Sequence, residues 1–251
     1  MVYDRPRFLA GGDKALFIEF GNAITPELNH QVRRWLLAIQ KTKIPGIIET
    51  VPTYRSLLLY YDPLQIGPNE LRKKLEALEQ KAEDYEFPKP KVTEIPTVYG
   101  GEYGPDLEFV AQLNGLSADE AVQIHTGNAY LIYTLGFMPG FAYLGGVSPR
   151  IATPRLETPR IKTPSGSVGL AGDATAIYPV ESAGGWRLIG RTPLKLFDPH
   201  REPPALLQPG NYVVFVSITP EEFARIRKEV EQGTYEVSET LMVGKGENGG
   251  I

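Results

Sequence analysis

The sequence predicts an α+β protein of two domains: a small strand-and-helix domain over residues 1–90, then a β-barrel or sandwich with flanking helices over residues 91–251. Three observations lead there. The first ninety residues alternate strand-like runs with amphipathic helical stretches. The segment Glu86–Lys91 (EFPKPK) interrupts all periodicity with two prolines and two lysines, as a linker does. From His125 to Ser217 the chain then becomes a dense alternation of Gly, Pro and short apolar runs.

Taken in order, Lys14–Phe20 (KALFIEF) reads as a strand. Thr25 is a good N-cap and Pro26 takes the first helical position, where its missing N–H is harmless; Leu28, Val32, Leu36 and Ile39 then fall on one face. Pro45-Gly46 stops this helix. Ile47–Val51 and Tyr54–Tyr61 read as strands parted by Pro52-Thr53, and a second helix follows Pro68 with Leu71, Leu75 and Leu78 along one side. Val92–Tyr99 is a further strand, so the order strand, helix, strand, strand, helix, strand suits a split βαβ, ferredoxin-like domain. Pro105–Leu113 predicts a short helix ended by Asn114-Gly115. Ser117 with Glu120 forms a capping box for another helix, running to about His125. The runs YLIYTL, SVGLAG, ATAIYPV, WRLIGRT and NYVVFVSI supply short strands. Thr219 to Glu222 caps a last helix bearing Phe223, Ile226 and Val230, and the tail GKGENGGI is expected to be disordered or a mobile strand extension.

Composition excludes several function classes. Of 251 residues, 42% are apolar and 22% charged, which is globular rather than disordered. A net charge of −4 offers no cationic excess to neutralise phosphates, so a nucleic-acid partner is not expected. The absence of cysteine removes disulfides, thiolate nucleophiles and Cys-based metal centres, and fits a cytoplasmic protein. The charged opening MVYDRPRFLAGGDK lacks the apolar core of an export signal. Thr126–Pro149 carries no charge, yet Gly136, Pro139, Gly140, Gly145 and Gly146 punctuate it, so a strand–turn–strand is expected there rather than a membrane span.

The common catalytic patterns are missing. His30, His125 and His200 are too scattered for a local metal motif, and no metal is expected. Gly140 and Gly145 have the outer spacing of a phosphate loop, but Gly146-Val147 stand where Lys and Ser or Thr must reach phosphate and magnesium. SGSVG puts Ser165 where a nucleophile elbow needs its first glycine. What stands out is a five-residue recurrence, Thr153-Pro154-Arg155, Thr158-Pro159-Arg160 and Thr163-Pro164-Ser165. Prolines this dense require an exposed edge or loop, and they present Arg155 and Arg160, which either bind a carboxylate or phosphate or simply solvate the loop. The following block sets Gly166, Ser167, Gly172, Gly184 and Gly185, where backbone can approach a ligand closely, beside Thr175, Tyr178, Trp186 and Arg191. Those residues read equally as tight barrel corners with Trp186 in the core. His125 closes a helix, as a dipole cap or as a catalytic base.

The segments HTGNAYLIYTLGFMPGFAYLGG, PRLETPRIKTPSGSVGLAG and IYPVESAGGWRLIGRTPLKLFDP resemble the hallmark segments of the family of the 5-oxoprolinase B subunit, the kinase inhibitor KipI and the first subunit of allophanate hydrolase. The resemblance runs from about Glu94 to Val216 and is weaker over the first ninety residues. It implies a ferredoxin-like domain followed by a cyclophilin-like β-barrel. It implies too a subunit inactive by itself, which with a carboxyltransferase-like C subunit and an A subunit opens 5-oxoproline to glutamate using ATP. The alternative it implies is a KipI-like regulator that holds a sensor histidine kinase. The chain departs from the family's G-x-Q-T-G-I-Y at Gly172-Asp173-Ala174-Thr175-Ala176-Ile177-Tyr178, which lacks the glutamine and the second glycine.

Overall fold

A computed structural model describes residues 1–79, 82 and 85–242, and the chain divides at Pro88/Lys89 into two compact units. The expected mobile tail over 244–251 lies outside the described residues.

In the first unit β1 (Val2–Ala10), β2 (Ala15–Gly21), β3 (Ile47–Pro52) and β4 (Ser56–Tyr61) form an antiparallel sheet in the order β1-β2-β4-β3, with helices α1 (Pro26–Thr42) and α2 (Pro68–Glu76). Alternate residues of β2 and β4, among them Ile18, Phe20, Leu57 and Leu59, pack with Leu28, Val32 and Trp35 of α1 and Leu71 of α2. Thr25 caps α1 as its position predicts, accepting from the Leu28 N–H at 3.3 Å. Two expectations need correction. Strand β1 was not foreseen: it is an edge strand, largely exposed, and its charges and proline give no apolar alternation to read. Val92–Tyr99, counted with this domain from the order of elements, lies in the second unit, and the strand beside β2 is β1 instead.

The second unit opens with β5 (Lys91–Tyr99). Helices α3 (Leu107–Leu113) and α4 (Ala118–Thr126) follow, and the Ser117/Glu120 capping box at the start of α4 is present in both directions. Strands β6 (Ala129–Leu135), β7 (Ala142–Gly145), β9 (Ser167–Ala171), β10 (Ala174–Ile177), β12 (Arg187–Arg191) and β13 (Tyr212–Ser217) then join β5 in a seven-stranded barrel ordered β12-β9-β10-β7-β6-β13-β5. The barrel closes where Gly190 and Arg191 of β12 pair with Tyr99 and Val98 of β5. Only β5 and β13 run parallel within it. Outside the ring, β8 (Arg160–Thr163) pairs with β11 (Ser182–Gly184), and β14 (Glu239–Leu241) borders the first half of β5. Helix α5 (Pro220–Gln232) carries a complete Thr219/Glu222 capping box. The uncharged Thr126–Pro149 stretch is the β6–β7 hairpin, and no helix among the described residues is long and apolar enough to cross a membrane.

Closure depends on a residue without a side chain. Gly190 lies at a register shift between β12 and β9, and a Cβ there would sit 2.6 Å from the Val98 carbonyl oxygen and 2.8 Å from Thr97 Cγ2. Backbone cannot step aside as a flexible side chain can. Gly190→Ala is therefore expected to lower the unfolding free energy by about 1–3 kcal/mol, as overpacking does. Urea titration followed by tryptophan fluorescence reads this directly, and an unchanged midpoint would mean that closure tolerates a methyl group.

Candidate functional site

The residues singled out from the sequence fall into three places around the barrel. The first is the interior. His125, in the last turn of α4, is fully buried, with Nδ1 2.8 Å from the Tyr99 hydroxyl and Nε2 3.1 Å from Thr175 Oγ1. Thr175 gives its own proton to the Gly169 carbonyl at 3.0 Å. It must therefore accept from His125, so Nε2 carries the hydrogen and Nδ1 accepts from Tyr99. Burial drives the His125 pKa down to about 3 and pushes that of Tyr99 well up. A neutral imidazole adds no charge to the helix end, and its ring packs 4.4 Å from that of Phe215. Together with Tyr99, His125 and Thr175 form a buried polar bridge between α4, β5 and β10.

The second place is the outer face of β7, β10 and β12. Phe141, Ala176, Tyr178, Trp186 and Leu188 form a small apolar cluster there, with Tyr143 and Ala174 partly buried against it. Phe141 touches Tyr178 and Trp186 edge-on. Gly184 leaves room for the Tyr178 phenol, because a Cβ would come within 2.7 Å of its Cζ. Gly185 packs on Pro159. Burial raises the Tyr178 pKa, opposed in part by a hydrogen bond with the Trp186 backbone and then by Arg155 and Arg160. The exposed Arg155 lies over the Trp186 ring at 5.5 Å. Arg160 is not an open donor: Nη2 meets both Asp106 oxygens at 2.7 and 2.8 Å, and Nη1 reaches the Trp186 carbonyl. Asp106, only 7% exposed, also accepts from the Leu188 N–H. This partner is not singled out by the sequence, since it lies 54 positions from Arg160. The Thr-Pro recurrence is likewise more than exposed loop, for Thr153 and Thr163 are buried and Arg160–Thr163 is strand β8. Gly172 turns the β9–β10 hairpin at φ 61°.

The third place is a cleft of about 820 Å³ between the β12 end of the barrel and α5, lined by Ser165, Gly166, Arg191, Thr192, Lys195, Phe223 and Arg227 among others. Ser167 and Arg191 are cross-strand partners of β9 and β12. Gly166, at φ 80°, packs so closely on the Thr192 backbone that no side chain fits. Arg191 lies over the Tyr103 ring at 5.6 Å. Lys195, Arg227 and Tyr103 went unread in the sequence because α5 and the β5–α3 loop meet β12 only in space. No group of three or more metal-ligating side chains occurs among the described residues.

Two outcomes are expected from these contacts. Asp106→Ala removes the acceptor of a charge-assisted fork and of a buried N–H, and should cost about 1.5–3 kcal/mol in denaturant unfolding; Arg160→Ala should also destabilise, and equal stability of both variants with wild type would reduce the pair to a surface contact. His125 takes up its proton in the unfolded chain at the ordinary 6.5 but in the folded chain only near 3. This difference leaves stability unaffected above pH 6.5 and lowers it progressively as pH falls toward 3, at up to about 1.4 kcal/mol per pH unit. Melting temperatures across pH 8 to 4 should therefore fall less steeply for His125→Gln than for wild type, although the variant starts lower.

Known proteins share this architecture and much of the sequence. The family described as carboxyltransferase domain, subdomain C and D, matches residues 6–207. The 5-oxoprolinase B subunit of Bacillus subtilis is 44% identical over 229 residues, covering 87% of this chain and 95% of that protein. The crystal structure of the uncharacterised protein PH0987 from Pyrococcus horikoshii is 49% identical, covers 86% of this chain and all of that one, and superposes with a TM-score of 0.52. The urea amidolyase of K. lactis superposes over 96% of this chain with a TM-score of 0.78 at 21% identity, a likeness of fold alone, and this chain spans only 17% of its length. On the extent of the family match and the near full-length similarity to the bacillary protein, the chain belongs with the 5-oxoprolinase B subunits in the carboxyltransferase subdomain C and D family.

Proposed function

We propose that the chain is the B subunit of an ATP-dependent 5-oxoprolinase, a cytoplasmic lactam hydrolase that converts 5-oxo-L-proline to L-glutamate together with an A subunit and a carboxyltransferase-like C subunit. The observation that carries this reading is the 44% identity with the 5-oxoprolinase B subunit of Bacillus subtilis over 95% of that protein. The architecture it implies is a ferredoxin-like domain, here with its edge strand supplied by β1, and a cyclophilin-like barrel.

The chemistry of the chain favours a share in a complex. A lactam amide is stabilised by resonance, so its opening needs the carbonyl made more electrophilic, for which ATP is the energy source, and positive donors for the charge that develops. Nothing in the described residues supplies a complete catalytic set. The buried His125 is committed to Tyr99 and Thr175, no metal cluster forms, and Gly146-Val147 replace the residues a phosphate loop needs. ATP is accordingly a requirement of the assembled complex. A docking surface for the C subunit is read at the β6–β7 loop, where Phe137 is 66% exposed and holds a left-handed φ of 65°.

The purified chain should neither hydrolyse ATP nor consume 5-oxoproline, whereas co-expression with the A and C subunits should give both activities and co-elution in size exclusion. Turnover by the isolated chain would overturn the subunit reading. Turnover by the A and C subunits without this chain would shift the balance to a regulator of the KipI kind, for which binding to a sensor histidine kinase would then be measured. Phe137→Gly should weaken co-elution while leaving the melting temperature equal or higher, because glycine relieves the left-handed backbone.

A further inference from the structure

We infer that the cleft beside Arg191 is a binding site for a small oxyanion, a carboxylate or a phosphate group, with Arg191 as its donor and Ser167 packed behind it on the neighbouring strand. This goes beyond the proposed activity and does not depend on it. Two polar atoms carry the inference. Arg191 Nε and Ser167 Oγ are both buried without a hydrogen-bond partner, and the whole Ser167 residue is inaccessible. Directly paired residues on neighbouring strands send their side chains to the same face, with Cβ atoms about 4.5–5.5 Å apart. The two side chains thus leave the same face of the sheet, and buried polar groups of this kind are rarely left unpaired.

The charges around them decide what completes the pair. Of the cations lining the cleft, Lys195 is held by Asp198 at 2.8 Å and Arg227 by Glu231 at 3.0 Å. No carboxylate among the described residues lies within 4.0 Å of Arg191, so its charge is the uncompensated one. The Tyr103 ring steadies the guanidinium from one side, and Gly166, where no side chain fits, keeps the turn against Arg191 narrow. A planar cation without a counter-charge suits a carboxylate or phosphate oxygen pair. Thr163 Oγ1 and Ser182 Oγ are also unpartnered, but they face each other across β8 and β11, where the neighbouring Lys162 is already paired with Glu181 at 2.9 Å, and water suffices there. The volume of about 820 Å³ admits a group of amino-acid size, with Phe223 and Val230 as apolar wall.

The test is calorimetric titration of the full chain with three probes: inorganic phosphate, 5-oxoproline, and 2-pyrrolidinone, which keeps the lactam ring but lacks the carboxylate. Saturable 1:1 binding of phosphate, of 5-oxoproline or of both is expected, and the two arms tell which oxyanion the cleft prefers; 2-pyrrolidinone should not compete. Arg191→Gln should weaken the binding about tenfold or more, Arg191→Lys less, and Ser167→Ala by a few-fold. Arg225→Gln, which removes a charge elsewhere on α5, should bind as wild type. If Arg191→Gln fails to fold, the Lys and Ala variants still carry the comparison. Absence of saturable binding to wild type, unaltered affinity in the folded Arg191 and Ser167 variants, or equal competition by 2-pyrrolidinone would each overturn the inference.

Discussion

The pairing of β12 with β5 is the constraint on which the second unit depends. A seven-stranded sheet left open would expose two rows of unpaired backbone groups, and closing it removes both edges. The closing contact is short, Gly190 and Arg191 against Tyr99 and Val98, so it is reinforced from outside. Asp106, a few residues beyond β5, accepts the Leu188 N–H of β12 and ties the same strand to Arg160 of β8. One carboxylate therefore holds the seam and the outer two-stranded sheet of β8 and β11 together.

The seam also arranges the polar groups. Tyr99, beside the closing register, turns its hydroxyl inward to His125, and the chain of donors passes through Thr175 to the Gly169 carbonyl. Each member satisfies the next, so a titratable ring can lie in the core in neutral form. One residue further along β12, Arg191 emerges on the outside with its strand partner Ser167. Interior and exterior thus receive opposite chemistry from adjacent strands: a closed, fully bonded relay inside, and outside an arginine without a counter-charge that lines a cleft, with the buried Ser167 hydroxyl behind it.

The departure from the family pattern over residues 173–178 acquires a physical sense from the same alternation. Thr175 points into the barrel to His125, while Ala174, Ala176 and Tyr178 lie on the aromatic outer cluster. Ala174 stands where the resemblance places a glutamine, partly buried against the cluster. A small residue there leaves more of that surface apolar, and the substitution changes the outer face without touching the interior relay.

Much of the fold was legible in the amino-acid order because its causes are local. The caps at Thr25, Ser117 and Thr219, the helices they start, and the short apolar runs between glycines follow from neighbours within a few residues. The long motifs from His125 to Pro199 fixed the family for the same reason, being contiguous. What stayed hidden depends on residues far apart in the chain. Strand β1 has no apolar alternation because neither of its faces is fully buried, and Val92–Tyr99 could be assigned to either sheet until β12 and β13 were seen beside it. The candidate residues His125, Arg160 and Arg191 looked alike as possible donors in sequence. Only tertiary structure separated them, burying the first as a neutral bridge, pairing the second with Asp106 from a distant loop, and leaving the third without a counter-charge, since ion pairing and desolvation are set by what packs alongside in space.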